Sequence, residues 1–217
     1  MKVGTDAVLL GAWANVNGTQ RILDIGTGTG IIALMLAQRS AKNTLIDAIE
    51  IDIDAYQQAF ENANDSPWHH RINAIHSSLQ NFITPFKYDL IITNPPYFIN
   101  SQKPPDQKRK QSRHADELPY PVLISACKNL LHREGRLCLI LPREEASIFI
   151  SMAAEANLYC SKKIAVKFKQ LKPVERLLLE FSNDFRKPIK DELILFDEEG
   201  SRTQAYQRLV SPFYLTY

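Results

Sequence analysis

Short apolar runs alternate with longer, helically periodic segments through the first two thirds of the chain. The apolar runs predict five strands: Arg21–Ile25, Leu45–Glu50, Ile72–His76, Tyr88–Thr93 and Gly135–Leu141. The periodic segments predict four helices: Ile31–Gln38, Asp54–Asn64 with Asp54 as its N-cap, Pro121–Leu131 and Glu144–Ala156. Strands that alternate with helices predict an α/β fold, in which a mostly parallel sheet is covered by helices on both faces.

The last third of the chain has a different pattern. Lys162–Lys169 and Glu175–Phe181 both favour strands, and Lys172-Pro173 between them is typical of a turn. Two consecutive strands without a helix between them predict an antiparallel hairpin at the edge of the sheet. The chain shows no internal repeat and no long linker, so residues 1–217 are predicted to form a single domain. The polar residues 100–117 predict a long, mobile, basic loop.

Composition narrows the class of protein further. The 26 Lys and Arg residues against 24 Asp and Glu residues give a net charge of +2, so a basic surface has to come from local clusters. Three cysteines at wide spacings favour a reducing compartment, and the histidines show no metal-binding spacing. No apolar run approaches the roughly 20 residues of a membrane span. We therefore expect a cytoplasmic protein without a metal or membrane contact, and a monomer.

A glycine-rich turn, Asp24–Gly30, connects the first predicted strand to the first predicted helix. Glycines at three alternate positions permit a tight turn and let a ligand lie against bare backbone. Glu50 ends the next strand, where its carboxylate can accept hydrogen bonds from both hydroxyls of a ribose, and Asp52 is a nearby alternative. Turn and acid together predict a cofactor that contains adenosine, and they leave a dinucleotide and S-adenosylmethionine both open.

The spacing of the glycines favours S-adenosylmethionine. A dinucleotide fingerprint has the pattern Gly-x-Gly-x-x-Gly, whereas this turn has Gly-x-Gly-x-Gly behind an acidic residue. Asp24 is suited to hold the cationic amino-acid end of this cofactor, a function that a pyrophosphate does not need. Ser77 and Ser78 follow the third predicted strand, where they either contact the edge of the adenine or cap a turn.

The tetrapeptide Asn94-Pro95-Pro96-Tyr97 follows the fourth predicted strand, at the strand-end edge where open α/β sheets bind ligands. The prolines fix the backbone, so that the Asn94 side chain and a proline carbonyl can accept hydrogen bonds from a planar amino group. Tyr97 can stack on the conjugated system behind that group. Two acceptors favour a nucleophilic nitrogen, and the proton leaves after attack on the methyl group. The tetrapeptide therefore predicts catalysis of methyl transfer to an exocyclic or amide nitrogen.

These motifs resemble the amino-methyltransferase branch of the class I S-adenosylmethionine-dependent enzymes. Further segments resemble the bacterial tRNA1(Val) (adenine-37-N6)-methyltransferase family: Lys2–Trp13, Asn94–Phe98 followed by Arg113-His114, and Pro212–Leu215. The resemblance covers nearly the whole chain. It implies a Rossmann-like class I methyltransferase fold, S-adenosylmethionine as cofactor, and N6-methylation of adenine 37 in the anticodon loop of tRNA1(Val).

The resemblance also implies site residues. In that family the Gly4–Asp6 segment folds over the cofactor, which makes residues 1–18 a cofactor-covering segment and places Thr5 and Asp6 at the methionine end of the cofactor. Family members carry further residues before this segment, so either the start is shortened or the numbering begins at an internal methionine. The predicted cofactor contacts are, in full, Thr5, Asp6, Asp24, Gly26, Thr27, Gly28, Gly30, Glu50, Ser78 and Asn94.

Two clusters of basic residues are suited to contact RNA phosphates, although solvated surface lysines also explain either one. The first cluster follows the tetrapeptide directly and consists of Lys103, Lys108, Arg109, Lys110 and Arg113. The second cluster consists of Lys162, Lys163, Lys167, Lys169, Lys172 and Arg176. Phe98 is expected to add an apolar wall against the base. His114 either binds the substrate or orders its loop.

Three alternatives to adenine methylation stay open. The same stacking and gripping would serve guanine N2 of ribosomal RNA. The glutamine methyltransferases of release factors share Asn-Pro-Pro-Tyr, although the basic loop and the Lys2–Asp6 start argue against a protein substrate. A non-catalytic RNA-binding module that has kept an inherited fold would not bind the cofactor.

Overall fold

The computed structural model describes residues 4–96 and 118–214, and the structural statements below refer to these ranges. The helices are α1 (Thr5–Trp13), α2 (Ile31–Arg39), α3 (Ile53–Asn64), α4 (Tyr120–Leu130), α5 (Arg143–Glu155) and α6 (Gln204–Val210), which is followed by a 3₁₀ turn (Ser211–Phe213). The strands are β1 (Arg21–Ile25), β2 (Leu45–Glu50), β3 (Ile72–His76), β4 (Tyr88–Thr93), β5 (Leu131–Pro142), β6 (Tyr159–Lys167), β7 (Val174–Ser182) and β8 (Ile189–Ile194). The first four strands have the bounds that the sequence predicts.

The strands form one eight-stranded sheet in the order β3-β2-β1-β4-β5-β7-β6-β8. The first five strands of the chain pair parallel to one another, and β7 lies antiparallel between β5 and β6. The predicted mostly parallel sheet is confirmed. From β1 the chain moves outward to β3 and then returns to place β4 on the other side of β1. The carboxyl ends of β1 and β4 therefore border the crevice in which such sheets bind ligands.

Alternating side chains on the central strands produce one apolar core on each face of the sheet. Ile22 of β1 packs on the face that α1, α2 and α6 cover, whereas its neighbour Leu23 packs on the face that α4 and α5 cover. Leu90 and Ile91 of β4 divide between the two faces in the same way. All four side chains are completely buried. The prediction of helices on both faces is confirmed.

Two details of the predicted fold are wrong. The hairpin of β6 and β7 is antiparallel, as predicted, but it does not form the edge of the sheet because β8 pairs parallel with β6 outside it. Only Leu193 of β8 is buried, so hydrophobic alternation does not mark this strand. The N-cap of α3 is Asp52, whose carboxylate accepts a hydrogen bond from the Ala55 N–H at 2.9 Å, whereas Asp54 lies in the first turn.

Three further points concern the first helix, residues 100–117 and membrane spans. The segment Thr5–Trp13 is a helix with buried residues on all sides, which the sequence pattern did not predict. The predicted loop at residues 100–117 lies outside the described residues. Among the described helices, none combines the length and apolar character that crossing a membrane requires.

Candidate active site

A cavity of about 620 Å³ lies at the carboxyl ends of β1, β2 and β4, where the strand order reverses. Its volume is in the range of small-molecule and cofactor sites. Each predicted motif that the structure describes at this edge contributes at least one residue to the cavity lining. These residues are Gly26, Gly28, Glu50, Ser78, Asn94, Pro95 and Pro96. Motifs that lie far apart in the chain therefore meet at one site.

The glycine-rich turn exposes its backbone to this cavity. Gly26, Gly28 and Gly30 have φ angles of +67°, +60° and +81°, in the left-handed region that side chains rarely adopt. The N–H groups of Gly26 and Thr27 donate to the Ile49 carbonyl at 2.9 and 3.0 Å, which ties the turn to the end of β2. Gly30 directly precedes α2. A Cβ added at Gly30 would lie 3.4 Å from Ala59 in α3. Gly26 and Gly28 border the cavity, whereas Gly30 allows close packing of helices.

Glu50 ends β2 with a carboxylate that accepts hydrogen bonds from three backbone N–H groups. Its Oε2 accepts from Gly28 at 2.8 Å, and its Oε1 accepts from Ile51 at 2.9 Å and from Asp52 at 3.0 Å. A carboxylate offers about four lone-pair positions, so some acceptor capacity is left toward the cavity. Glu50 therefore holds the glycine-rich turn in place and can still accept a hydrogen bond from a ligand hydroxyl.

Asp24 lies fully buried beneath the turn and is not part of the cavity lining. Its Oδ2 accepts a hydrogen bond from the Thr27 hydroxyl at 2.6 Å, whereas its Oδ1 has no hydrogen-bond partner within the described ranges. Burial raises the pKa of Asp24 to about 7; the hydrogen bond from Thr27 opposes this rise, and the charge of Glu50 adds to it. A cationic ligand group near this orphaned oxygen would favour the ionised carboxylate, which fits the predicted role of Asp24.

Asn94, Pro95 and Pro96 continue from β4 into the cavity. Ile25 and Thr93 are partners in the parallel ladder, and the Thr93 hydroxyl donates to the Ile25 carbonyl at 2.9 Å. This pairing places Asn94 beside the start of the glycine-rich turn. Pro95 is buried, and the residues on either side of it are half-buried. An amide side chain and proline carbonyls at this position provide acceptors for an amino group.

The predicted residues that follow this turn lie outside the described ranges. They are Tyr97, Phe98, Lys103, Lys108, Arg109, Lys110, Arg113 and His114. Their roles in stacking on a base and in holding RNA stay predictions.

Ser78 lines the cavity and also caps a turn. Its hydroxyl accepts a hydrogen bond from the Asn81 N–H at 3.2 Å. The neighbouring Ser77 N–H donates to the Glu50 carbonyl at 2.9 Å and so joins this turn to β2. The capped turn that the sequence allowed is present, and contact of Ser78 with an adenine stays a prediction.

Several further residues line the cavity, among them Asp52, which the sequence offered as an alternative to Glu50, and Asp54, which it predicted as an N-cap. The further residues are Ile51, Asp52, Asp54, Ala55, Gln58, Leu79, Gln80 and Leu118. Most of them lie in the β2–α3 connection and the first turns of α3, which must begin at the same edge because β2 ends there. Together with Glu50, the two aspartates make this wall of the cavity acidic. An acidic wall suits hydroxyl and amino groups better than phosphates.

The front of α1 lies apart from the cavity lining. Thr5 is exposed, and the Asp6 carboxylate accepts a hydrogen bond from Nε of Arg176 at 2.9 Å. Neither Thr5 nor Asp6 lines the cavity, and their contact with a cofactor stays a prediction.

Half of the second basic cluster is paired within the protein. Three of its six cations form ion pairs, at 3.0, 2.6 and 2.9 Å: Lys162 with Glu180, Lys167 with Glu192, and Arg176 with Asp6. Pairing favours a structural role for these three residues over contacts with phosphate. The described part of the chain contains no group of three His, Cys, Asp or Glu side chains arranged to hold a metal ion.

Comparison with known proteins connects this site to a reaction. Residues 3–148 match the family model of the methyltransferase small domain. A protein of Tolumonas auensis named tRNA1(Val) (adenine(37)-N6)-methyltransferase is 43% identical over 215 residues, which are 99% of this chain and 90% of that protein. A protein of the same name from Parabacteroides distasonis is 46% identical over 218 residues, which are 99% of this chain and 91% of that protein.

A solved structure confirms the fold. The crystal structure of a predicted O-methyltransferase, protein Atu636 from Agrobacterium tumefaciens, matches with a TM-score of 0.74 and covers 95% of this chain and 96% of that chain. The two sequences are 18% identical, so this likeness concerns the fold alone. It confirms the prediction of a Rossmann-like methyltransferase fold.

Proposed function

This chain belongs to the tRNA1(Val) (adenine(37)-N6)-methyltransferase family, and we propose that it transfers a methyl group from S-adenosylmethionine to N6 of adenine 37 in tRNA1(Val). The observation that carries the proposal is the meeting of the glycine-rich turn, Glu50 and Asn94-Pro95-Pro96 around one cavity. The cavity supports the reaction class, and the names of the relatives support the substrate.

The cofactor side of the cavity suits S-adenosylmethionine. Glu50 has acceptor capacity for a ribose hydroxyl, and Gly26 and Gly28 offer bare backbone. Asp24 lies beneath the turn and outside the cavity lining, and its orphaned Oδ1 would favour a cationic amino-acid end close to it. When bound, this cofactor supplies an electrophilic methyl group on a sulfonium.

The acceptor side of the cavity suits an exocyclic amino group. The side-chain oxygen of Asn94 and the carbonyl of Pro95 accept its two hydrogen bonds, which hold the nitrogen and increase its nucleophilic character. No side chain has to remove a proton before the attack, because the nitrogen loses its proton after it gains the methyl group. Alignment and hydrogen bonding therefore provide most of the catalysis.

The substrate base has to leave its stack to reach this cavity. Bases in single-stranded loops of RNA can be splayed out and stacked on aromatic side chains. In this proposal Tyr97 and Phe98 contact the flipped adenine, and the first basic cluster holds the phosphates around it. We place the activity in the cytoplasm, in agreement with the three free cysteines.

The test is the transfer of a labelled methyl group from S-adenosylmethionine to an unmodified tRNA1(Val) transcript, followed by nucleoside analysis. We expect N6-methyladenosine at position 37. A transcript with guanine at position 37 is the matched control, because it lacks the 6-amino group, and it should accept no label. Ribosomal RNA and a release factor are offered in parallel. Methylguanosine or methylglutamine as the product would instead favour one of the two alternative substrates.

A further inference from the structure

An ion pair joins β7 to the first turn of α1, between residues 170 positions apart in the chain. Nε of Arg176 in β7 donates to Oδ2 of Asp6 in the first turn of α1 at 2.9 Å. The two side chains are 32% and 23% exposed, so solvent screens this pair only partly. The negative charge of Asp6 also lies at the positive end of the α1 dipole. These features favour a fixed contact over a loose surface pair.

The strand register places Arg176 at the level of the Asn94 turn. Thr93 of β4 is paired with Leu139 of β5, and Pro142 of β5 is paired with Arg176 of β7. Pro142 lies three residues beyond Leu139, just as Pro96 lies three residues beyond Thr93. Arg176 therefore lies at the same edge of the sheet as the Asn94 turn, two strands away from β4.

The packing of α1 on α2 places the front of α1 toward the glycine-rich turn. Nη1 of Arg39, the last residue of α2, donates to the carbonyls of Gly11 and Ala14 at 2.6 and 2.9 Å. A Cβ on Gly11 would lie 2.9 Å from Sδ of Met35, one turn earlier in α2. The two helices therefore run in the same direction. The start of α1 lies toward the start of α2, which directly follows Gly30.

We propose that Arg176 is a positioning residue, which holds the front of α1 through Asp6 between the glycine-rich turn and the Asn94 turn and so strengthens cofactor binding. Arg39 fixes the far end of α1, and Arg176 fixes the near end. Without Arg176 the first turn of α1 would move more freely over the edge where the cofactor binds. The inference rests on the proposed use of S-adenosylmethionine.

The experiment measures the dissociation constant of S-adenosylmethionine by calorimetry and the hydrogen exchange of α1 amides by mass spectrometry. We expect Arg176→Gln to raise the dissociation constant about tenfold, which corresponds to about 1.4 kcal/mol, and to speed exchange in the first turn of α1. Asp6→Asn should have the same effect on the affinity, and the double variant should add little because both changes remove the contact that the two residues share. Arg176→Lys, which keeps the charge, should recover part of the affinity. At saturating cofactor, kcat should stay within about twofold, because a positioning residue of this kind acts on binding.

Arg186→Gln is the control, because it breaks an exposed ion pair with Asp184 and should leave the dissociation constant unchanged. An unchanged dissociation constant in Arg176→Gln would overturn the inference while the methyltransferase activity stands. A loss of affinity in Asp6→Asn but not in Arg176→Gln would also overturn the inference, since Asp6 would then contact the cofactor directly. If the wild-type protein bound no S-adenosylmethionine, the proposed function would fail as well. Hydrogen exchange, which needs no cofactor, would still show whether Arg176 anchors α1.

Discussion

The carboxylate of Glu50 accepts a hydrogen bond from the backbone N–H of Gly28 at 2.8 Å, which joins two motifs that lie 22 residues apart. The sequence suggests one role for Glu50, as an acceptor for a ribose. The structure adds a second role, because the same carboxylate also fixes the turn against which the cofactor would lie. Cofactor recognition and the shape of the turn therefore depend on one side chain.

Substitution of Glu50 by Gln tests this double role. A glutamine has one acceptor oxygen, so its amide nitrogen would face a backbone N–H that Glu50 now satisfies. We expect Glu50→Gln to lower the free energy of unfolding by about 1–3 kcal/mol, the cost of leaving a buried donor without a partner. Cofactor affinity should fall as well. Denaturant unfolding and calorimetry measure the two effects, and an unchanged stability would show that the turn does not depend on this carboxylate.

Gly26 of the glycine-rich turn can be compared with Gly18, which lies outside the turn and has a similar backbone angle. Gly26 and Gly18 have φ angles of +67° and +73°, and an added Cβ would meet no atom within 4 Å at either position. Only Gly26 lines the cavity. We expect alanine at either position to lower the free energy of unfolding by about 1–2 kcal/mol through backbone strain.

The affinity for S-adenosylmethionine should differ between Gly26→Ala and Gly18→Ala. Gly26→Ala should also weaken S-adenosylmethionine binding by about tenfold or more, because its Cβ occupies space where a ligand would lie against backbone. Gly18→Ala should bind the cofactor as the wild type does. Equal affinities in the two variants would contradict the assignment of Gly26 to the cofactor site.

The buried carboxyl of Asp24 predicts a pH dependence of stability in the cofactor-free protein. Burial raises its pKa from 3.8 to about 7, so the folded protein holds this proton more tightly than the unfolded chain does. The protonated Asp24 carboxyl therefore contributes fully to the free energy of unfolding below about pH 4, and this contribution is lost as the pH rises toward and through 7. Since one pKa unit corresponds to about 1.4 kcal/mol, the total change is on the order of a few kcal/mol.

Asp24→Asn removes this titration. Relative to the wild type, the variant should gain stability as the pH rises from 5 to about 7, and the gain should level off by pH 8. The unpaired N–H of its amide adds a cost that does not change with pH. Denaturant unfolding at four pH values in this range measures the difference, and parallel stability curves for the two proteins would show that Asp24 does not titrate there.

Local patterns in the sequence predict the centre of the fold well. The strands β1 to β4 are buried and separated by clear turn residues, and their bounds agree with the prediction residue by residue. Gly26, Gly28, Glu50 and Asn94 could be assigned to one site because parallel strands end at a common edge. Glu50 ends such a strand, Gly26 and Asn94 directly follow one, and Gly28 lies three residues beyond the end of β1.

Features that depend on contacts distant in sequence could not be predicted. The pairing of Arg176 with Asp6 joins residues 170 positions apart, and no local pattern points from one to the other. Asp52 is the N-cap because it has extended backbone angles and its carboxylate accepts a hydrogen bond from the Ala55 N–H, which the sequence does not distinguish from a cap at Asp54. β8 is held mainly by its pairing with β6, since Leu193 is its only buried residue.

The most direct test of the central claim compares the wild type with Asn94→Ala on unmodified tRNA1(Val), with cofactor binding measured for both. Asn94 is assigned to the amino group that receives the methyl, so its loss should reduce kcat about 100- to 1,000-fold. The wild type should produce N6-methyladenosine at position 37. Asn94→Ala should still bind S-adenosylmethionine, although less tightly, because Asn94 is also a predicted cofactor contact; kcat is therefore measured at saturating cofactor. Methylation of adenine 37 by Asn94→Ala at the wild-type rate would contradict the account.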